Sequence, residues 1–564
     1  MQATMQGALN KLSYLGCREI KWNDGYTACF LMVVLCSCVI SVISIDVFFD
    51  IFSGPKWVVF DSLLTIILSF FIFKSKKIKV GSLGLLTCAL TFYMFLSSLW
   101  APNVFEAVSF SLRFACFSLA IFIISSSFNK DEVLKILVDG VFYSSIVFCS
   151  VLIFERYIVG KAYSVTDFSP IGFINYLGQV LNVWIPILIL SIYMHRNSKV
   201  RLIAGVLSTA ILMNLLLESG TRGAILGLLC AEVCILLVLL VKTKKFPVKY
   251  MAVSAGLLVS VGTFTMLKDL GPEMLQGHVN SIKNLETGRE TVFANTADMI
   301  VDNPHGVGAG NFQYIHPKYA KMGTEQTSPY LSEYGILVSP YNIILKFYSE
   351  LGVLFGSVFL IVLSSVFYIS FKNFLFGNYV DTWVFMAVFS LCFHAMFSSV
   401  FLTPVSLLFS MLLFSVVLSR AKYSVKKLIV KRSVFIVLSI GLALSILFIR
   451  SAEVGSNYLA NLGLKIGDTQ MVERAIEING YNHRALLGAS FLYLHKEQDL
   501  KATLNSLENT LEVYPYMLFS MVQAAEISYK LGDFERFKRY KNKVLEIYPA
   551  NERVLSIGKD EGVE

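Results

Sequence analysis

Two arginines set beside glycines are the groups in this chain best suited to chemistry. Arg222 stands in ESGTRGA (218–224) and Arg289 in TGRET (287–291). A guanidinium is planar, permanently charged and able to hold a phosphate through two parallel N–H bonds. Gly220 and Gly223 let the backbone bend around Arg222 and let another group come close. Two such groups on one ligand would bind a phosphate ester and take up charge on a departing phosphate. The plainer readings are a snorkelling arginine at a helix end for Arg222 and a solvated loop residue for Arg289.

Further polar groups gather toward one end of the apolar runs. Arg113 lies a few residues inside the fourth run, where an ionisable group is expected to face a bundle interior or a wet cavity. Asn175, Gln179 and Asn182 make one stripe on the sixth. His394 sits near the end of the eleventh, and Glu232, in the middle of the eighth, is expected to pair within the bundle. Helix–helix hydrogen bonding explains such residues without function, but their gathering in one leaflet sketches an outward-facing polar cavity that could hold a charged lipid headgroup. NPHGVGAGNF (303–312) contains Gly306, Gly308 and Gly310, whose N–H groups could face an anion, with a plain turn as the alternative. It is no dinucleotide fingerprint, because no strand precedes it.

The elements that must position these groups are membrane helices. Of 564 residues, 55% are hydrophobic and 15% charged, and apolar runs near 20 residues recur through the first four-fifths of the chain. Thirteen spans are expected, near 26–45, 57–73, 83–98, 110–128, 138–154, 173–194, 202–217, 224–241, 251–267, 354–370, 380–397, 404–419 and 434–449. Every second loop is basic: Lys74 to Lys79, Lys130 and Lys135, Arg196 to Arg201, 242–249, Lys372 and 420–432. The positive-inside rule places those loops and a polar segment 1–25 in the cytoplasm. The turn at 218–223, a long loop 268–351 and everything after Arg450 then lie on the outer face. The +9 net charge is explained by these loops, and no nucleic-acid signal is present. All ten cysteines fall in the N-terminal segment or in apolar runs, which argues against disulfides and zinc.

The tail, 451–564, changes composition and reads as a second domain. LEVYP (511–515) recurs as LEIYP (545–549) at a spacing of 34, with AIEIN (475–479) about one period earlier and KLGDFERF (530–537) fitting a turn between paired helices. That is the period of tetratricopeptide repeats, expected to build a small curved docking surface for a protein partner. A generic helical hairpin domain is the alternative. The whole is thus expected to be all-α, with a transmembrane domain at 26–450.

The order of the motifs resembles the superfamily of O-antigen ligases, O-antigen polymerases and protein O-oligosaccharyltransferases. SSLWAPN (97–103) follows the third span; SGTRG precedes a long outer loop holding GR and DNPHGVGAGNF; PYN and ELG then open the next span. The resemblance covers roughly 83–419, and an outer helical-repeat tail is similar to the protein O-oligosaccharyltransferase branch. It implies transfer of a saccharide preassembled on undecaprenyl diphosphate, at the periplasmic face of a bacterial inner membrane and without nucleotide, metal or other cofactor. The acceptor would be a hydroxyl of lipid A-core, a protein or another glycan. Arg222 and Arg289 match the arginines expected to bind the donor diphosphate, with Arg113 as a further candidate. Glu350 is the acid of the ELG element.

The chain departs from the family at one position, having Tyr341-Asn342 where His-Asn is usual. An unperturbed tyrosine, with a pKa of about 10, is a poor general base near neutral pH. Either Glu218, His305 or His394 serves as base, or Tyr341 orients the acceptor, or a related transfer is catalysed. A polymerase of the same superfamily is the first alternative function. A flippase for lipid-linked oligosaccharide is the second, though no repeated halves are visible, and a non-catalytic assembly scaffold is the third.

Overall fold

The computed structural model describes residues 24–74, 78–243, 289–324, 337–421 and 428–557, except 46, 47, 49, 162, 163, 165, 166 and 431. In apolar surroundings a backbone must close its own hydrogen bonds, and the helix does so within one segment. The membrane part is accordingly helical: α1 (Asp24–Ile40), α2 (Ser53–Lys74), α3 (Ser82–Leu96), α4 (Val104–Ser127), α5 (Lys130–Ile153), α6 (Ile174–Met194), α7 (Lys199–Ser219) and α8 (Arg222–Thr243). After the polar helix α9 (Arg289–Asp302) and the short α10 (Phe312–Ile315) come α11 (Ile343–Phe376), α12 (Tyr379–His394), α13 (Pro404–Ser419) and α14 (Arg432–Ile466). Among the described residues eight helices are long and apolar enough to cross a membrane, and three more are apolar but shorter. The expected span at 251–267 and the segment 1–23 lie outside the described residues.

Asparagine punctuates the helix starts. Asn129 and Asn378 form capping boxes with Glu132 and Asp381, and Asn103 and Asn342 cap α4 and α11 through their side-chain oxygens. Two elements begin earlier than hydropathy indicates. Helix α4 starts at Val104, which brings Glu106 into its first turn. Helix α11 starts at Ile343 instead of 354, and its first two turns carry Lys346 and Glu350, which a hydropathy window discounts but which neutralise each other inside the fold. The helix kinks at Gly352, where φ is 73° and ψ 178°.

One departure from the all-α expectation is a three-residue antiparallel ladder, Ile78–Val80 on Leu428–Val430. It joins two of the basic loops, which therefore lie at one end of the bundle. Glu232, expected to pair within the bundle, is only half-buried and makes no ion pair among the described residues. Among the described residues the buried acids are Asp61, Asp139, Glu350 and Asp381, held by Arg450, Arg201, Lys346 and Arg420.

The tail is a run of short helices: α15 (Thr469–Ile478), α16 (His483–Leu492), α17 (Leu500–Val513), α18 (Leu518–Lys530), α19 (Phe534–Ile547) and α20 (Glu552–Ser556). From α14 to α19 each packs on the next. The same local device recurs three times, a residue with positive φ (Gly467, Gln498, Gly532) followed by an aspartate (Asp468, Asp499, Asp533) that caps the next helix. Residues 450 and 451 fall inside α14, which runs on into the tail. The tail does not stand apart from the loop: Val292, Met299, Phe312 and Met322 share one core with Leu518, Met521, Val544 and Ile547.

Candidate functional site

Helix α7 ends on Gly220, in the left-handed conformation at φ 59°, and α8 starts two residues later with Arg222. Between them the Thr221 hydroxyl meets the Ser219 hydroxyl at 2.9 Å. Helix α8 carries Gly223 and Gly227 on one face, where α12 presses close. A Cβ on Gly223 would sit 2.8 Å from the His394 ring, and one on Gly227 would sit 2.7 Å from the Ser390 carbonyl oxygen. The small residues thus set the first turn of α8, which Arg222 opens, against the turn 394–397.

Arg289, at the start of α9, reaches the same turn from the other side. Its Nη1 donates to the Phe397 carbonyl at 2.5 Å, and its guanidinium lies 5.2 Å from the centre of the Tyr341 ring. A cation over an aromatic face gains about 0.5–1 kcal/mol at an exposed site. Tyr341 has φ 55°, uncommon for a residue with a side chain, and Asn342 immediately caps α11. Two segments far apart in sequence therefore converge on residues 394–397. Arg222 is half-buried and makes no ion pair or hydrogen bond of its side chain among the described residues.

A buried polar network fixes that turn. His394 Nδ1 lies 2.8 Å from the Asn182 side-chain oxygen, and the Asn182 amide donates to the Ala224 carbonyl at 3.0 Å. The Gln179 amide donates to the Ser398 hydroxyl at 3.3 Å, and the Thr403 hydroxyl donates to the Gln179 oxygen at 3.2 Å. The stripe on α6 is therefore the clamp that holds α8, α12 and the turn together.

The other candidates lie elsewhere. Glu218 is gripped by Arg156, whose Nη1 is 2.9 Å from both carboxylate oxygens, so its charge is already paired. His305 is exposed, and only its carbonyl is used, accepting from the Tyr93 hydroxyl at 2.7 Å. Glu350 is fully buried, ion-paired to Lys346 and facing the Phe312 N–H at 3.4 Å. Its Oε1 ties the loop to α11. Arg113 pairs with Glu453 at 3.2 Å, lies 3.7 Å from Asp61 and stacks 4.4 Å from the centre of the Trp57 ring. It lines a separate cavity and is not in contact with Arg222 or Arg289.

The glycine-rich loop is a clamp and not an anion nest. The N–H groups of Gly306, Val307 and Gly308 donate to the carbonyls of Asn303, Ser349 and Glu350, and the Val353 N–H returns to the Pro304 carbonyl. A Cβ on Gly306 would lie 2.3 Å from the Glu350 oxygen and one on Gly308 2.6 Å from Ala101. The kink in α11 leaves backbone groups unpaired, and this loop satisfies them. Gly310 fits under Phe110 and Glu106. SSLWAPN completes the joint: the Trp100 indole donates to the Gly306 carbonyl, and the Asn103 N–H donates to the Asn311 side chain.

Sequence reading missed Arg156, Lys346, Glu106 and the set Asp61, Arg450 and Glu453. The first is a plain loop arginine by type. Lys346 and Glu350 are spaced i, i+4 and could have been paired on that ground. Asp61 and Arg450 are charges within apolar runs, which is itself a signal.

No curated protein matches the chain. Residues 207–361, which run from α7 through the two arginines and the glycine-rich loop into α11, match the family model described as O-Antigen ligase, a match consistent with the O-antigen ligase superfamily.

Proposed function

We propose that the protein transfers a preassembled saccharide from undecaprenyl diphosphate to an acceptor hydroxyl at the periplasmic face of the bacterial inner membrane. The observation that carries this reading is the convergence on the turn 394–397 of Arg289 and of the start of α8, where Arg222 has no ion pair or side-chain hydrogen bond among the described residues. As the acceptor oxygen attacks the anomeric carbon, the bond to the diphosphate breaks and charge grows on the leaving group. Guanidiniums held in place beforehand stabilise that charge most in the transition state. Arg222 also opens a 22-residue helix, whose first N–H groups favour an anion. No metal or cofactor has a part in this scheme.

In the same reading the thirteen-span domain is 26–450, with the N-terminus cytoplasmic and a periplasmic loop at 268–351. Residues 451–564 form a periplasmic tetratricopeptide-like unit, and the recurrent turns at 467–468, 498–499 and 532–533 support the repeat. Its docking partner is a polypeptide. Lipid A-core, a protein and a growing glycan all remain chemically suitable acceptors, and a polymerase is the second reading.

The test is mass analysis of carrier lipid, protein and lipopolysaccharide in a deletion strain. A ligase or protein transferase leaves the acceptor bare while lipid-linked glycan accumulates, and a polymerase leaves single repeat units on the acceptor. Unchanged glycans in all three fractions would remove the transferase reading.

A further inference from the structure

Beside the arginine turn lies a cavity of about 270 Å³ between α3, α4, α11 and α13, and neither Arg222 nor Arg289 reaches it. We propose that it holds the alkyl chain of a membrane aminophospholipid, with the headgroup ammonium on the carboxylate of Glu106. Its walls suit a chain. On α4 they run from Glu106 to Phe122, about 24 Å at 1.5 Å per residue, close to the depth of the hydrocarbon core. Below the mouth they are aromatic and aliphatic, as at Phe114, Phe117, Phe359 and Phe414. A slot this long and this small in volume suits one extended chain.

The mouth suits a zwitterion. Arg113 and Arg450 are neutralised by Asp61 and Glu453 through contacts of 2.6 to 3.7 Å. Lys346 is neutralised by Glu350. Glu106 remains: its backbone N–H is capped by Asn103, but its carboxylate lines the cavity and has no ion-pair partner within 4 Å among the described residues. The nearby cations Arg113, Arg450 and Lys346 act on it only at longer range, as does the acid Glu453. One uncompensated carboxylate at an apolar mouth repels a diphosphate and attracts an ammonium. Lys346 also lines the mouth; its ammonium has three donors, and among the described residues Glu350 is the one carboxylate that takes from it. It can therefore hold a phosphate oxygen while Glu106 holds the amine. A headgroup with both charges matches this pair, whereas a purely anionic lipid meets Glu106 unscreened.

The test is native mass spectrometry of the full-length detergent-purified protein, offered phosphatidylethanolamine, phosphatidylglycerol or undecaprenyl phosphate. One phosphatidylethanolamine per chain is the expected preference. Glu106→Gln should lower its retention about tenfold, the worth of a charge-assisted hydrogen bond. Val362→Trp, which fills the slot without touching a charge, should lower retention of any lipid there. Equal or better retention of phosphatidylglycerol or undecaprenyl phosphate, or phosphatidylethanolamine retention unchanged by Glu106→Gln, would overturn the assignment. The readout needs no transfer activity, so it stands or falls apart from the proposed function.

Discussion

Arg222 opens α8 and Arg113 lies inside α4, both in apolar sequence, and the fold treats them oppositely. Arg113 is enclosed by Asp61, Glu453 and Trp57, in a set completed by Arg450. Arg222 has no ion pair or side-chain hydrogen bond among the described residues, and the helix it opens packs beside a turn that Arg289 reaches. The first arrangement ties α2, α4 and α14 together. The second leaves a guanidinium's hydrogen-bonding capacity open to a ligand. Residue type is the same, so place in the fold and partners separate an arginine tied into the bundle from one left without such ties among the described residues.

The difference is sharpest when each set is cut. Arg450→Ala leaves Asp61, only 1% exposed, facing Arg113 at 3.7 Å. Removing one partner of a buried ion pair costs about 3–5 kcal/mol, so a marked fall in the thermal midpoint of the purified protein is expected. Arg222→Ala should do the reverse, leaving the midpoint in place while transfer from a polyprenyl-diphosphate donor drops at least about a hundredfold, near 3 kcal/mol of barrier. Arg222→Lys should rescue poorly, because an ammonium lacks the forked geometry. If Arg222→Ala melts early, or transfers at the wild-type rate, the contrast between the two arginines is lost.

Acid should probe a third environment, the core shared by loop and tail. His316 is fully buried, neither ring nitrogen has a hydrogen-bond partner among the described residues, and burial pushes its pKa down to about 4. Its neutral form suits the fold, so its contribution is complete above the unfolded value near 6.5. That contribution is lost as pH falls toward 4, by about 3 kcal/mol at the limit. Hydrogen exchange across 312–322 and 518–547 should accelerate over that window, and His316→Met should flatten the response. Acceleration unchanged in His316→Met would assign the acid step to another group.

The smallest effect concerns Tyr341. If its ring only steadies Arg289, Tyr341→Phe keeps activity within about twofold and Tyr341→Ala loses about fivefold, the size of an exposed cation–π contact. A hundredfold loss in Tyr341→Phe would make the hydroxyl a proton carrier and overturn that role.

Much of this fold could be read from the chain alone. Twelve of the thirteen apolar runs fall on helices and the other lies outside the described residues. The 34-residue recurrence ends on equivalent points, LEVYP closing α17 and LEIYP closing α19. The site was legible only in part. Arg222 and Arg289 stood out through their glycine neighbours, but Glu218, His305 and Arg113 looked equally suitable by type. The Glu218–Arg156 pair spans 62 residues and the Arg113–Glu453 pair 340, separations at which no local pattern carries information. Gly306 and Gly308 illustrate the same limit, since a glycine-rich loop reads alike whether its N–H groups meet an anion or the carbonyls of a kinked helix.

Composition and periodicity by themselves determined that the chain is a bundle of membrane helices with a helical tail, because lipid admits few ways to satisfy a backbone and hydropathy records where it must do so. They also marked which residues are chemically able to hold a phosphate. Which of those are left open to one was decided only in three dimensions. Charge neutralisation acts over a few ångströms of space, and only the packed structure sets which acid lies within that reach of which arginine.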